Sequence, residues 1–135
     1  VVPADVVTAP EFSESAPATI VDSSDVPENE LILDIGPRTA AEYTRIISLV
    51  NTIIWNGPMG VFEWPEFAKG TEAVAKAVAA NEKATSVLGG GSTAEVVGSL
   101  DLVDKITHVS TGGGASLEFL EGKVLPGVAA LDDPE

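Results

Sequence analysis

The 135 residues, 44% hydrophobic and only 5% aromatic, are enough for one modest domain whose core is built mainly of Val, Leu, Ile and Ala. Twenty-one acidic against 7 basic residues give a formal charge of −14, which excludes a free-standing duplex binder with a basic face and argues against a lipid-surface binder. The absence of cysteine removes disulfides, thiol chemistry and cysteine-based metal sites, and no apolar run approaches bilayer length.

In chain order, VVPADVV (Val1 to Val7) reads as a buried strand with an abrupt start, which fits a fragment cut inside a domain. A short strand pair follows, near Thr19–Val21 and Leu31–Ile35, separated by the polar DSSDVPENE. PRTAAEYTRIISLVN predicts a helix with Thr39 as N-cap and Glu42 at capping-box spacing, its apolar stripe being Tyr43, Ile46, Ile47 and Val50. TIIWNGP, from Thr52, is a β-branched run expected to be a strand buried on both faces. TEAVAKAVAAN predicts a second helix capped by Thr71, followed by the strand TSVLGGG and the helix STAEVVGSL. ITHVSTGGG predicts the last strand, ASLEFLEG the last helix, stopped by Gly122, and KVLPGVAALDDPE a turn-containing tail whose Asp132–Asp133 pair is expected to be solvated.

Strands and helices alternating at this spacing predict a parallel sheet with right-handed crossovers. Three strands run into glycine-bearing turns, WNGPMG, LGGGST and VSTGGGAS. Ligands of open α/β sheets lie beyond the carboxyl ends of the strands, so the three turns should line one edge.

LGGGSTAE combines a strand end, a glycine turn and a helix N-terminus, which makes an anion site. The plainer reading is a tight turn capped by Ser92, with Glu95 closing a capping box; both can hold. No lysine follows the glycines, so the phosphate loop of the GxxxxGK[ST] type is excluded. STGGGAS is a second such turn, readable also as close helix–strand packing. In WNGPMGVFEW, Asn56 offers an amide, Pro58 and Val61 an apolar wall, and Glu63 a carboxylate able to accept from a ribose diol. Trp55 and Trp64 read as packing residues rather than base platforms. His108, the single histidine, reads as a packed and hydrogen-bonded residue in preference to a general base. No metal-ligand spacing or nucleophile–base pair stands out.

LDIGPRT, WNGPMGVFEWPEFAKGT, GGGSTAEVV and HVSTGGGASLEFLEGKVLPGV, in this order and spacing, resemble the C-terminal domain of phosphoglycerate kinases over residues 1–131. The resemblance implies a Rossmann-like three-layer α/β fold, with residues 1–135 forming part of a C-terminal nucleotide-binding domain. It implies a cytoplasmic glycolytic enzyme that moves a phosphoryl group between 1,3-bisphosphoglycerate and ADP, giving 3-phosphoglycerate and ATP, with Mg²⁺. By that resemblance Asn56 and Pro58 lie beside the adenosine and Glu63 takes the ribose hydroxyls. Gly90, Gly91, Ser92 and Thr93 meet the nucleotide phosphates. The catalytic set is Gly91, Gly112, Gly113 and Gly114, the last three giving backbone donors to the transferred group, while His108 to Thr111 sit at the domain hinge.

Two residues depart from the family pattern. Ser92 stands where the family commonly has a metal-contacting Asp, so it is a weak Mg²⁺ partner, and Ile32 stands where a Gly is frequent beside the adenine. The family's phosphoglycerate-binding N-terminal domain and its phosphate-binding lysines are outside this chain, and none of the seven basic residues lies in a glycine loop. The chain alone is therefore expected to be inactive, and its exposed sheet edge to favour self-association. A stand-alone, non-catalytic nucleotide-binding module is the alternative; a fragment that binds nothing is a third reading.

Overall fold

Asp5–Ala9 (β1) is buried at every position, which requires neighbours on both edges and both faces. Its edges are taken by Thr19–Asp22 (β2) and Leu31–Ile35 (β3), both antiparallel, so the two short strands flank β1 instead of pairing with each other. The computed structural model, which describes residues 1–131, starts this strand at Asp5; Val1 and Val2 are exposed, and the Asp132–Asp133 pair lies outside the described residues.

The second sheet carries the expected parallel topology. Thr52–Trp55 (β4), Thr85–Gly89 (β5) and His108–Ser110 (β6) lie in the order β4-β5-β6, with Trp55 opposite Leu88 and Gly89 opposite Ser110. Helices Pro37–Ile47 (α1), Lys69–Ala80 (α2), Gly91–Ser99 (α3) and Gly113–Leu120 (α4) accompany the strands, and Pro126–Ala129 (α5) forms a short helix in what reads from sequence as a turn-containing tail. Gly122, at φ +79°, ends the stretch after α4 as its position predicts.

The larger core lies between this sheet and its helices, where Ile53, Trp55 and Leu88 meet Val74, Val78, Val96 and Val97. Leu88 is fully buried, and a leucine so placed contributes about 1.5–3 kcal/mol by leaving water. β4 departs from the doubly buried expectation: Ile53 and Trp55 face this core, while Ile54 is 51% exposed, because β4 is a sheet edge with one covered face. A smaller core gathers Val7, Ala9, Leu33 and Phe67, with Trp64 packed on it and Phe12 stacked 4.6 Å from the Trp64 ring. Both tryptophans are thus packing residues.

The helix starts differ from the capping expectations in a consistent way. Thr39 is not an N-cap: α1 begins at Pro37, Thr39 is buried, and Glu42 grips Arg45 through two 2.8 Å bonds instead of closing a capping box. The free N–H groups of Arg38 and Thr39 donate to the Asp5 carboxylate of β1, at 3.1 and 2.8 Å. α2 starts at Lys69, ahead of Thr71, and its Gly70 N–H donates to Asp34 of β3 at 2.7 Å. Thr71 Oγ1 instead accepts from the Met59 and Gly60 N–H groups, pinning the loop after β4 to α2. The first turns of α1 and α2 are thus each met by a buried carboxylate from the first sheet, which offers an acceptor as good as a local hydroxyl together with a full charge at the positive helix end.

Candidate functional site

The parallel register brings the carboxyl ends of β4, β5 and β6 to one edge, and Asn56, Gly89–Gly90 and Gly112–Gly113 meet there. A Cβ on Gly89 would collide with Asn56 Oδ1, and one on Gly113 would stand 3.3 Å from Gly90 Cα and 3.5 Å from the same amide oxygen. The two triplets therefore touch, with Asn56 wedged against both. Gly90 N–H donates to the Ser110 carbonyl at 3.0 Å, locking the β5 turn onto the end of β6.

Two helices start at this junction. α3 begins at Gly91 after Gly90 turns with φ +96°, and α4 begins at Gly113. Neither helix has a side-chain cap, and neither carries an acid in its first turn. The Ser92–Glu95 capping box is thus absent; Ser92 is exposed. The first intrahelical bonds are made by Ala94 N–H to Gly90 and Ser116 N–H to Gly112. The N–H groups of Gly91, Ser92 and Thr93, and of Gly113, Gly114 and Ala115, have no intrahelical acceptor, as in any first turn.

Thr93 adds an observation that glycine spacing does not carry. Its side chain is fully buried, yet Oγ1 has no hydrogen-bond partner. The hydroxyl lies 3.9 Å from where a Cβ on Gly90 would be, so it sits behind the turn that opens the corner. Buried hydroxyls are normally satisfied. Ser116, which sequence reading did not single out, and Ser110, read only as part of the hinge stretch His108 to Thr111, stiffen the other corner: Ser110 Oγ accepts from Gly112 N–H at 3.2 Å and lies 3.0 Å from Ser116 Oγ, which also donates to the Gly112 carbonyl.

The remaining predicted residues lie further out. Pro58 is half-buried in the loop after β4, which is tied to β3 by the Val61 N–H to Leu33 carbonyl bond of 2.9 Å. Glu63 is exposed between Phe62, packed on the larger core, and Trp64, packed on the smaller; among the described residues no hydrogen bond or ion pair joins it to the glycine corners. Ile32 is 57% exposed on β3. His108 is also exposed and its side chain has no hydrogen-bond partner among the described residues, contrary to the packed, bonded reading: it opens β6, the far edge of the sheet.

The two capping carboxylates differ in electrostatics. Burial pushes the Asp5 carboxyl up, but hydrogen bonds from the Thr39 hydroxyl and N–H and from Arg38 N–H, with the Arg38 charge, outweigh it and hold the group below its ordinary value. Burial dominates at Asp34 and raises it, despite the Gly70 and Ile35 N–H bonds and the Lys69 charge. An apolar groove of about 600 Å³ lies elsewhere, among Val7, Ile20, Ile35, Ala40 and Ala73; such walls offer little to a phosphate.

The family model for phosphoglycerate kinase matches residues 1–123. The chain belongs to the phosphoglycerate kinase family. It is 56% identical over 130 residues to phosphoglycerate kinase of Koribacter versatilis, covering 96% of this chain and 32% of that one. It is 53% identical over 131 residues to the enzyme of the same name from Clostridium tetani, covering 97% and 32%. Among solved structures, phosphoglycerate kinase from Coxiella burnetii superposes with a TM-score of 0.87 at 47% identity, over 96% of this chain and 33% of that chain. That from Pyrococcus horikoshii gives 0.81 at 40% identity, over 96% and 31%. The chain thus spans about a third of the length of these family members. No helix among the described residues is long and apolar enough to cross a membrane.

Proposed function

We propose that the chain is the C-terminal part of a phosphoglycerate kinase nucleotide-binding domain and that its two glycine corners hold the phosphates of ADP or ATP. One observation carries this reading: two uncapped helix N-termini meet with their glycines in contact and the orphan hydroxyl of Thr93 behind them. In the parent reaction, 1,3-bisphosphoglycerate gives its phosphoryl group to ADP, forming 3-phosphoglycerate and ATP. Gly90, Gly91, Ser92 and Thr93 serve the nucleotide phosphates, and Gly112, Gly113 and Gly114 the group in transfer. Asn56 and Pro58 flank the adenosine, and Glu63 faces the ribose diol. Phosphoryl transfer asks the protein mainly for positioning and charge stabilisation, which fixed N–H groups supply without reorganising.

The family's reaction generally uses Mg²⁺, but the residues here do not fit a protein-held divalent cation. Ser92 presents a neutral, exposed hydroxyl, the first turns of α3 and α4 contain no acid, and among the described residues no three His, Cys, Asp or Glu side chains come together. Hard cations favour carboxylate oxygens.

Cationic help is also remote. Six of the seven basic side chains are engaged with carboxylates: Arg38 with Asp22 and Asp5, Arg45 with Glu42, Lys69 with Glu66, Lys76 with Glu72, Lys105 with Glu82 and Lys123 with Glu121. Without Lys or Arg at the corners, the purified 135-residue chain should show no turnover in a coupled phosphoglycerate kinase assay. Turnover near that of a full-length family member would contradict this. The open edge of β4, with Ile54 51% exposed, favours self-association of the chain alone. Sedimentation should show mass rising with concentration; a monomer at every concentration would count against it.

A further inference from the structure

The donors assembled at the two corners have one chemical character. The N–H groups of the first turns of α3 and α4 and the hydroxyls of Ser92 and Thr93 can give a hydrogen bond to an anion, whereas Ser116 already donates to the Gly112 carbonyl and Asn56 Oδ1 is an acceptor wedged between the glycines. The nearest acids on these helices, Glu95 and Glu118, lie beyond the first turns. A site with a buried, unpartnered hydroxyl and two positive helix ends is complementary to bare phosphate oxygens. A cation on the same oxygens competes with the N–H donors and receives no protein ligand in return.

We infer that this chain takes a nucleoside diphosphate without preference for its Mg²⁺ complex, so that the metal, when present, is held by phosphate oxygens and water alone. This rests on the placing of the nucleotide phosphates proposed above and adds what sets their recognition. Ser92 is the deciding position. It lies in the first turn of α3 with its side chain exposed, so a carboxylate there would face the same phosphates. Such a carboxylate would repel a metal-free polyphosphate and supply the oxygen ligand that a bound Mg²⁺ lacks. The net charge of −14 also favours a neutralised nucleotide, but over long range. At physiological ionic strength that field is screened within about 8 Å.

The test is calorimetric titration of the full 135-residue chain with ADP at that ionic strength, once with Mg²⁺ and once with a chelator. The two dissociation constants should agree within about threefold, and Ser92→Ala should leave their ratio unchanged. Ser92→Asp should weaken metal-free ADP by about fivefold or more and make binding at least about tenfold tighter with Mg²⁺ than without; the melting temperature checks that the variant is folded. These are order-of-magnitude expectations for adding or removing one charge contact at a partly exposed site. Wild-type binding ten times tighter with Mg²⁺ would overturn the inference while leaving the phosphate site in place. So would an unchanged ratio in a folded Ser92→Asp. No ADP binding under either condition would overturn the phosphate site itself.

Discussion

Asp5→Ala should destabilise the chain by about 3–5 kcal/mol, the usual cost of removing one partner from a buried, charge-assisted network. The carboxylate is 1% exposed and accepts from Thr39 N–H, the Thr39 hydroxyl and Arg38 N–H, at 2.8, 2.7 and 3.1 Å. Alanine leaves the Arg38 and Thr39 N–H groups without an acceptor, while the Thr39 hydroxyl keeps only the Asp5 carbonyl at 2.8 Å, and it removes the cap that joins α1 to β1. Against the about 5–15 kcal/mol total of an ordinary domain, this is a large fraction. Urea denaturation measures it directly. A loss under about 1 kcal/mol would mean that the donors find other acceptors or water.

The pH dependence of the same residue has a definite sign. Asp5 is held below its ordinary 3.8 in the fold, so its contribution is fully present above the unfolded value and is lost as pH falls through the folded one. Asp34 runs the other way. Its folded value is raised above 3.8, so stability is lost as pH rises from the unfolded value through the folded one. The stability gap between wild type and Asp5→Asn should therefore shrink on acidification below pH 3.8, whereas the gap to Asp34→Asn should widen as pH falls toward that value.

The second large effect concerns binding. Gly90 adopts φ +96° and ψ 144°, a region nearly closed to residues with a Cβ. Gly90→Ala should cost about 1–3 kcal/mol of stability from backbone strain. By shifting the first turn of α3 it should weaken ADP binding at least about tenfold, the equivalent of one or two lost charge-assisted hydrogen bonds. Thr93→Val separates the two effects. Valine keeps the volume and removes a hydroxyl that has no partner in the fold, so stability should be unchanged or higher by up to about 1 kcal/mol. ADP affinity should nevertheless fall by about fivefold or more if, as proposed, the nucleotide phosphates supply the partner that the hydroxyl lacks in the fold. Calorimetry and thermal unfolding on both variants check this. A Thr93→Val protein with wild-type ADP affinity would show that the hydroxyl is merely tolerated.

The parallel half of the fold was legible in the sequence. From Thr52 onward, β-branched runs, Ala-rich helical stretches and glycine turns succeed one another at βα spacing, and β4, β5 and β6 follow in that order. The first sheet was less so. Nothing local tells β2 and β3 to flank β1; the choice follows from β1 needing cover on both edges.

Caps were the least legible feature, because the local capping motifs at Thr39 and Thr71 lost to the carboxylates of Asp5 and Asp34, which accept from the Thr39 and Gly70 N–H groups 34 and 36 residues away. A lone Asp inside an apolar strand, as in LILDI, is a signal of such a role that the sequence reading left unused. At the corners, the glycines and Asn56 announced a crowded meeting of backbones. The burial of the Thr93 hydroxyl depends on how α3 packs and has no local signature. His108 occupies a strand, as its neighbours indicate, but an edge strand leaves it exposed.

The most direct measurement is an ADP titration of the isotopically labelled chain followed by amide chemical shifts. The largest shifts should fall on Gly91, Ser92, Thr93, Gly113 and Gly114, whose N–H groups open α3 and α4. Shifts confined to the apolar groove around Ile20, Ile35 and Ala73, with both glycine corners silent, would contradict a phosphate site built from main-chain donors.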